Sequence, residues 1–461
     1  MDRSKSAREL ALQILTQLNT GHGRARDILN RVIRDYGIAE PDKSFLSELV
    51  YGTLRRRGNL DWILGQFIHP RRLKKLRPEI VEILRLGLYQ LLFLKNVPDH
   101  AAVNESVEMS KGYGYKGVSK LVNAVLRRAI QSRGTIPYPD ICTNPAAHIS
   151  ARYSHPEWLV KRWLERYGIS ETIKLCSANN IRPPLYIRTN PLKASREQLI
   201  QSLQSEGALV MESVALPESI RLLESPLPID KLSSYKLGWF QVQDGSSMLV
   251  SHILDPKPAE TVIDICAAPG GKTTHIAELM QNTGRILAFD TDERRLPLIS
   301  ENCQRLGITI VEPIQADARN LDKHLSGKTV DRVLVDVPCT GLGVLRRRIE
   351  TRWRRTPDQL ETFPKLQYEI LASAARHVKP GGVLVYCTCT IEPEENHQVV
   401  DRFLDAHPQF RVKIPFLEIA GEEGLAIARG LVSLEGHIQT YPHRHDMDGI
   451  FAVRMVRTKM E

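Results

Sequence analysis

The 461-residue chain is 42% hydrophobic and 25% charged, the make-up of a soluble protein with ample core for two or three domains. It has no run of 18 apolar residues and no signal peptide at Met1-Asp2-Arg3-Ser4-Lys5, which argues against a membrane or secreted protein; seven cysteines without framework spacing fit reduced thiols in a cytoplasm. Residues 1–140 hold 24 Lys+Arg against 14 Asp+Glu, the whole formal excess of +10, so a basic region suited to a polyanion stands beside a neutral chemical unit.

Residues 1–140 read as all-helical. Ala7, Leu10, Ala11, Ile14, Leu15 and Leu18 follow i, i+3, i+4, i+7 spacing, and Val118, Leu121, Val122, Val125, Leu126 and Ala129 repeat it. Residues 78–94 are apolar enough for a central buried helix. Basic clusters interrupt the set: Arg55-Arg56-Arg57, Arg71-Arg72 with Lys74-Lys75, and Arg127-Arg128. Residues 134–150, with Pro137, Pro139 and Pro145, look like a connector, and 158–166 like a short helix. From Pro184 the period shortens. Segments 185–188, 208–211, 220–223 and 239–242 read as strands, and Ser195 with Gln198 forms a capping box, which gives a small α+β unit over 150–248.

Residues 249–461 alternate strands and helices. The expected strands are 262–266, 285–289, 309–315, 332–337 and 383–387, with a late hairpin, about 438–441 with 450–456, as an antiparallel edge. Pro297 marks a first helical turn or a kink. The first strand runs into Cys266-Ala267-Ala268-Pro269-Gly270-Gly271-Lys272, a turn of small residues that opens a helix at the carboxyl end of a doubly wound sheet. A P-loop needs glycine where Cys266 stands, and G-x-G-x-x-G is absent. S-adenosylmethionine remains as the ligand, its carboxylate needing a single anion site. Asp264, Asp290, Asp317 and Asp336 stand at or near successive strand ends. Asp290 lies where an acid takes ribose hydroxyls, and Asp317 where one accepts an adenine amino group. Two thiols, Cys339 and Cys389, end the fourth and fifth strands and so reach one crevice. A buried cysteine is usually only a small hydrophobe. Cys387 with Cys389, and His443 with His445, mimic metal ligands without completing a set, so no metal is expected.

Several phrases carry a resemblance. Leu49-Val50-Tyr51-Gly52-Thr53-Leu54-Arg55-Arg56, Leu88-Tyr89-Gln90-Leu91-Leu92-Phe93, Ala102-Val103-Asn104-Glu105-Ser106-Val107-Glu108 and Val122-Asn123-Ala124-Val125-Leu126-Arg127 resemble the NusB-like RNA-binding helical domain. The loop from Asp264 to Thr274, Asp336-Val337-Pro338-Cys339-Thr340-Gly341-Leu342-Gly343 and Thr388-Cys389-Thr390-Ile391-Glu392-Pro393-Glu394-Glu395-Asn396 resemble the bacterial 16S rRNA cytosine-C5 methyltransferases of the RsmB (Fmu/Sun) family. The resemblance spans nearly the whole chain. It implies an α/β class I, Rossmann-like S-adenosylmethionine methyltransferase sheet, preceded by the α+β subdomain and the helical domain. It further implies a cytoplasmic monomer acting on RNA, most simply 16S rRNA. Cys389 is then the nucleophile that adds to C6 and activates C5. Cys339 assists proton removal and product release, Asp336 holds the cytosine edge and borders the cofactor, and Lys272 lies beside both ligands. Segment 346–355 is expected to touch RNA, with Ile349-Glu350 where relatives often carry Pro-Asp. The alternatives are a tRNA cytosine-C5 methyltransferase and a non-catalytic RNA-binding or transcription factor. A DNA cytosine methyltransferase would use the Pro-Cys thiol, Cys339, instead.

Overall fold

The computed structural model describes residues 5–21, 23–114, 116–212, 216–414 and 431–459, so the opening Met1–Ser4 lies outside them. The chain forms two units. One is Met1–Arg182 with Leu345–Arg355; the other is Pro183–Val344 with Thr356–Glu461.

The first unit is helical. Ala7–Asn19 starts at a reciprocal cap, Ser6 Oγ accepting the Glu9 N–H while Glu9 accepts the Ser6 N–H, and it buries Leu10, Ala11, Ile14, Leu15 and Leu18 as the spacing predicts. Pro78–Phe93 is the central helix; its proline sits in the first turn, where a missing N–H costs nothing. The connector runs against the long helix Asp42–Phe67, whose Trp62 Nε1 donates to the Pro137 carbonyl at 2.8 Å and Asn59 Nδ2 to the Tyr138 hydroxyl at 2.7 Å. The expected short helix extends to Glu157–Ala178 and breaks at Gly168, whose φ of 72° only glycine adopts freely.

Segment Leu345–Arg355 presents only part of its arginines: Arg348 is exposed and Arg347, Arg354 and Arg355 are half-buried. Ile349 joins the core of the helical unit, and Arg346 and Arg352 are buried rather than presented to RNA. The physical reason lies at two helix ends. Helix Pro145–Tyr153 and helix Glu157–Ala178 leave terminal carbonyls without helical partners. The Arg352 guanidinium supplies the donors, reaching Ser154 O at 3.0 Å, Asn179 O at 2.9 Å and Asn180 Oδ1 at 2.8 Å.

The second unit holds two sheets. Strands β1 (Leu185–Thr189), β2 (Leu209–Glu212), β3 (Ser219–Glu224) and β4 (Phe240–Val242) form an antiparallel sheet in the order β2-β3-β1-β4. The larger sheet comprises β5 (Thr261–Ile265), β6 (Arg285–Asp290), β7 (Val311–Gln315), β8 (Val330–Asp336), β9 (Val378–Thr388), β10 (Phe410–Val412), β11 (His437–Gln439) and β12 (Phe451–Arg457). Its order is β10-β12-β9-β8-β5-β6-β7, with β11 also on β12. Strands β5 to β9 are parallel; β5, β6, β8 and β9 are largely apolar and buried on both faces, while the edge strand β7 is part-exposed. The order reverses between β5 and β8, so a crevice opens at their carboxyl ends. The late hairpin forms, but β12 is not the edge: it sits between β9 and the short strands β10 and β11. Pro297 lies in the first turn of helix Leu296–Leu306, so it starts that helix without kinking it.

Candidate active site

Strand β5 ends in the glycine loop. Gly270 has φ 94°, and helix Gly271–Leu279 begins one residue later with its first N–H groups facing outward. A Cβ at Gly271 would meet no heavy atom within 4 Å, so space for a ligand lies against the backbone. The loop is tethered to β6: Ala267 N–H donates to Phe289 O at 3.0 Å and Ala268 N–H to Asp290 Oδ2 at 3.0 Å. Cys266 and Pro269 lie on either side of these tethers, and burial pushes the Cys266 thiol well above its usual range.

The four acids meet different surroundings. Asp290 is buried, and its second oxygen accepts the Asp292 N–H at 3.0 Å. Asp317 is half-exposed and bound by Arg319, whose Nη2 donates at 2.6 Å, so that carboxylate already has a cationic partner. Asp264 is buried with one oxygen taking the Thr273 hydroxyl at 2.6 Å and the other unpartnered; burial pushes its carboxyl up to about 7. Asp336 Oδ2 accepts from Lys272 Nζ at 2.6 Å. Burial opposes the Lys272 charge, but Asp336 outweighs it and holds the ammonium protonated. Cys387 donates to the other Asp336 oxygen at 3.4 Å.

Because β8 and β9 are adjacent and parallel, with Asp336 opposite Cys387, the loops after them run side by side. Cys339 Sγ lies 3.1 Å from Cys389 Sγ and also accepts the Cys389 N–H at 3.3 Å. The hydrogen bond to Cys389, then burial, holds the Cys339 thiol in its protonated form. Such a pair can offer one sulfur as nucleophile while the other keeps a proton.

A buried set braces both loops, and sequence reasoning missed it although the motif Glu392-Pro393-Glu394-Glu395-Asn396 contains two of its members. Glu395 accepts the Thr340 N–H at 2.8 Å, the Thr340 hydroxyl, and Gln367 Nε2 at 2.9 Å. The Thr340 and Thr390 hydroxyls lie 3.0 Å apart, and the Thr388 hydroxyl donates to Asn396 Oδ1 at 2.7 Å. Gly343 N–H donates to Cys389 O at 3.0 Å; a Cβ there would fall 1.9 Å from Gly449 O, so only glycine allows the approach. Away from the thiols, His252 and His275 approach one oxygen of Glu218 at 2.8 and 3.2 Å, the one group of three ligand-type side chains gathered this closely among the described residues.

A model of 16S rRNA methyltransferase RsmB/F matches residues 251–456, a NusB family model 5–131, and a ferredoxin-like domain model of RsmF/B methyltransferases 155–230. "Probable ribosomal RNA small subunit methyltransferase B" of Bacillus subtilis is 37% identical over 453 residues, 98% of this chain and 99% of that one. The chain belongs to the RsmB/F family of 16S rRNA methyltransferases. A Synechocystis relative of the same description is 39% identical over 98% of this chain and 99% of its own. Among solved structures, PH0851 superposes with TM-score 0.80 at 30% identity over 98% of this chain and 99% of its own, and NSun6 from Pyrococcus horikoshii with SFG at 0.57 and 27% over 66% and 99%. The RsmB/F assignment makes the protein an RNA methyltransferase with a class I sheet. Among the described residues no helix is long and apolar enough to cross a membrane.

Proposed function

We propose that this enzyme transfers a methyl group from S-adenosylmethionine to C5 of a cytidine in 16S rRNA through a covalent adduct on Cys389. The observation that carries the reading is the thiol pair 3.1 Å apart at the ends of β8 and β9, beside the Lys272–Asp336 ion pair. The relative solved with SFG, an S-adenosylmethionine analogue, supports the cofactor. So does the fit of the loop: backbone space at Gly271, outward helix N–H groups for a carboxylate, and buried acids that complement a sulfonium. Cys266 to Lys272, Asp290 and Asp336 would hold it. Asp317 would have to share its carboxylate with Arg319.

When bound, that group supplies an electrophilic methyl. Cytosine C5 is too weak a nucleophile to take it unaided. Cys389 as thiolate adds to C6 and raises electron density at C5. Asp336 would meet the N3 edge, and a proton drawn from the Lys272–Asp336 pair answers the negative charge that attack at C6 sends to N3. Once Cys339 has passed its own proton to solvent, its thiolate can take the C5 proton; the electrons of that C–H bond re-form C5=C6 and expel Cys389. The helical unit would hold the RNA. Arg71, Arg72, Lys74, Lys75, Arg127 and Arg128 are exposed, whereas Arg55, Arg56 and Arg57 are half-buried.

Bisulfite mapping of total RNA from cells with and without the protein tests the assignment. One 16S cytidine should lose its protection when the protein is absent. Loss confined to tRNA would move the substrate, and no loss anywhere would end the C5 reading.

A further inference from the structure

Arg57 lies on helix Asp42–Phe67 with its guanidinium over the Trp353 ring, 6.0 Å from the centroid. It has neither hydrogen bond nor ion pair among the described residues, and burial, with Arg85 nearby, pulls its pKa down. A half-buried cation without an anion is costly. Among the acids of the same cavity, Asp61 is already taken by Arg85, and Glu350 is buried with the Ala25 N–H 3.4 Å from its Oε1. Arg85 holds Asp61 through bonds of 2.6 and 2.8 Å and also pairs with Glu82. Arg354 donates to the Gly23 carbonyl at 2.7 Å and to Leu18 O at 3.3 Å.

These groups line a cavity of about 580 Å³ within the helical unit, to which Lys74 and Trp353 also contribute. Lys74 is exposed and likewise has no partner among the described residues. The Trp353 indole is fixed, its Nε1 donating to Leu54 O at 3.2 Å, and a Cβ at Gly58 would lie 2.6 Å from its ring. The volume falls within the range of small-ligand pockets. Two free cations beside a fixed aromatic wall match a phosphate next to a base.

We propose that Arg57 and Lys74 bind one RNA phosphate in this cavity, with Trp353 as the wall for the adjoining base. The proposal rests on the reading of the helical unit as an RNA grip. It assigns to segment Leu345–Arg355 a part in RNA binding through Trp353, beside whatever its exposed Arg348 contributes.

The test uses the full-length protein and a 16S rRNA transcript, with affinity measured across salt. Arg57→Gln and Lys74→Gln should each lower the slope of log affinity against log salt, and the double variant should lower it by about 0.7–0.9 in all, the share of one phosphate. Arg57→Lys should keep the slope near that of the parent, and it carries the comparison with Lys74→Gln if Arg57→Gln does not fold. Crosslinking through 4-thiouridine should label the peptide that contains Trp353. Arg127→Gln with Arg128→Gln, outside the cavity, is the control. If the control lowers the slope while Arg57→Gln and Lys74→Gln leave it unchanged, the pocket is overturned and the RNA grip stands. If none of them changes it, both fail.

Discussion

Asp264 gives the most direct test of the electrostatics beneath the glycine loop. Its carboxyl is buried, one oxygen is unpartnered, and burial raises its pKa to about 7, with Asp336 and Asp290 adding and Thr273 and Lys272 opposing. In the unfolded chain an aspartate ionises near pH 3.9. The folded value is therefore the higher one, and the folded state holds a proton that the unfolded state has lost between those two limits. Stability from this group is complete below about pH 4, falls by about 1.4 kcal/mol per pH unit, and levels off above about pH 7. From pH 5 to pH 7 the expected loss is roughly 2–3 kcal/mol. Asp264→Asn carries no such proton. Urea denaturation of parent and variant at several pH values, read by circular dichroism without cofactor, should show the variant gaining on the parent by that amount. Titrating groups distant from Asp264 cancel in the difference, because they are common to both proteins. A gap that stays constant within about 0.5 kcal/mol, or that moves the other way, refutes the reasoning. Adding S-adenosylmethionine should flatten the parent's slope, since a nearby cation favours the ionised acid.

Three further outcomes are expected. Cys389→Ala should abolish methylation and form no adduct, whereas Cys339→Ala should accumulate protein bonded to methylated RNA, seen on a denaturing gel as a shifted band that ribonuclease removes; trapping by Cys389→Ala instead would reverse the roles. Asp290→Asn should weaken S-adenosylmethionine binding by about 1–3 kcal/mol in calorimetry; unchanged affinity would remove Asp290 from the cofactor site, and thermal denaturation run alongside separates this from loss of its bonds to the Ala268 and Asp292 N–H groups. Arg352→Met strands three acceptors and should cost about 2–5 kcal/mol, with faster hydrogen exchange in helix Glu157–Ala178; a cost under about 1 kcal/mol would mean that water takes over those acceptors.

Periodicity carried the parallel sheet, because strands buried on both faces read as continuous β-branched runs, and strand ends then fixed where Cys339 and Cys389 meet. It did not carry β10, three residues long with only Phe410 buried. Nor could it find β12 inside the sheet, since hairpin pairing alone does not say which other strand lies alongside. The burial of Arg346 and Arg352 is hidden from local sequence for a related reason. Arginine in a row reads as a solvated or RNA-facing surface, and the carbonyls that bury Arg352 belong to helix ends more than 170 positions earlier in the chain. Cys387 and Glu395 act through tertiary hydrogen bonds, for which local sequence has no period.

The return of Leu345–Arg355 to the first unit sets a timetable for synthesis. The helices through Arg182 are made early, yet Ile349 of their core and the Arg352 donors for two helix ends come from codons far downstream. At roughly 5–20 residues per second, the growing chain waits on the order of ten to thirty seconds between finishing those helices and delivering their last buried residues. During that interval the early helices are complete in length but not in packing, and a chaperone that shelters exposed apolar surface would find its target there rather than in the late-emerging sheet.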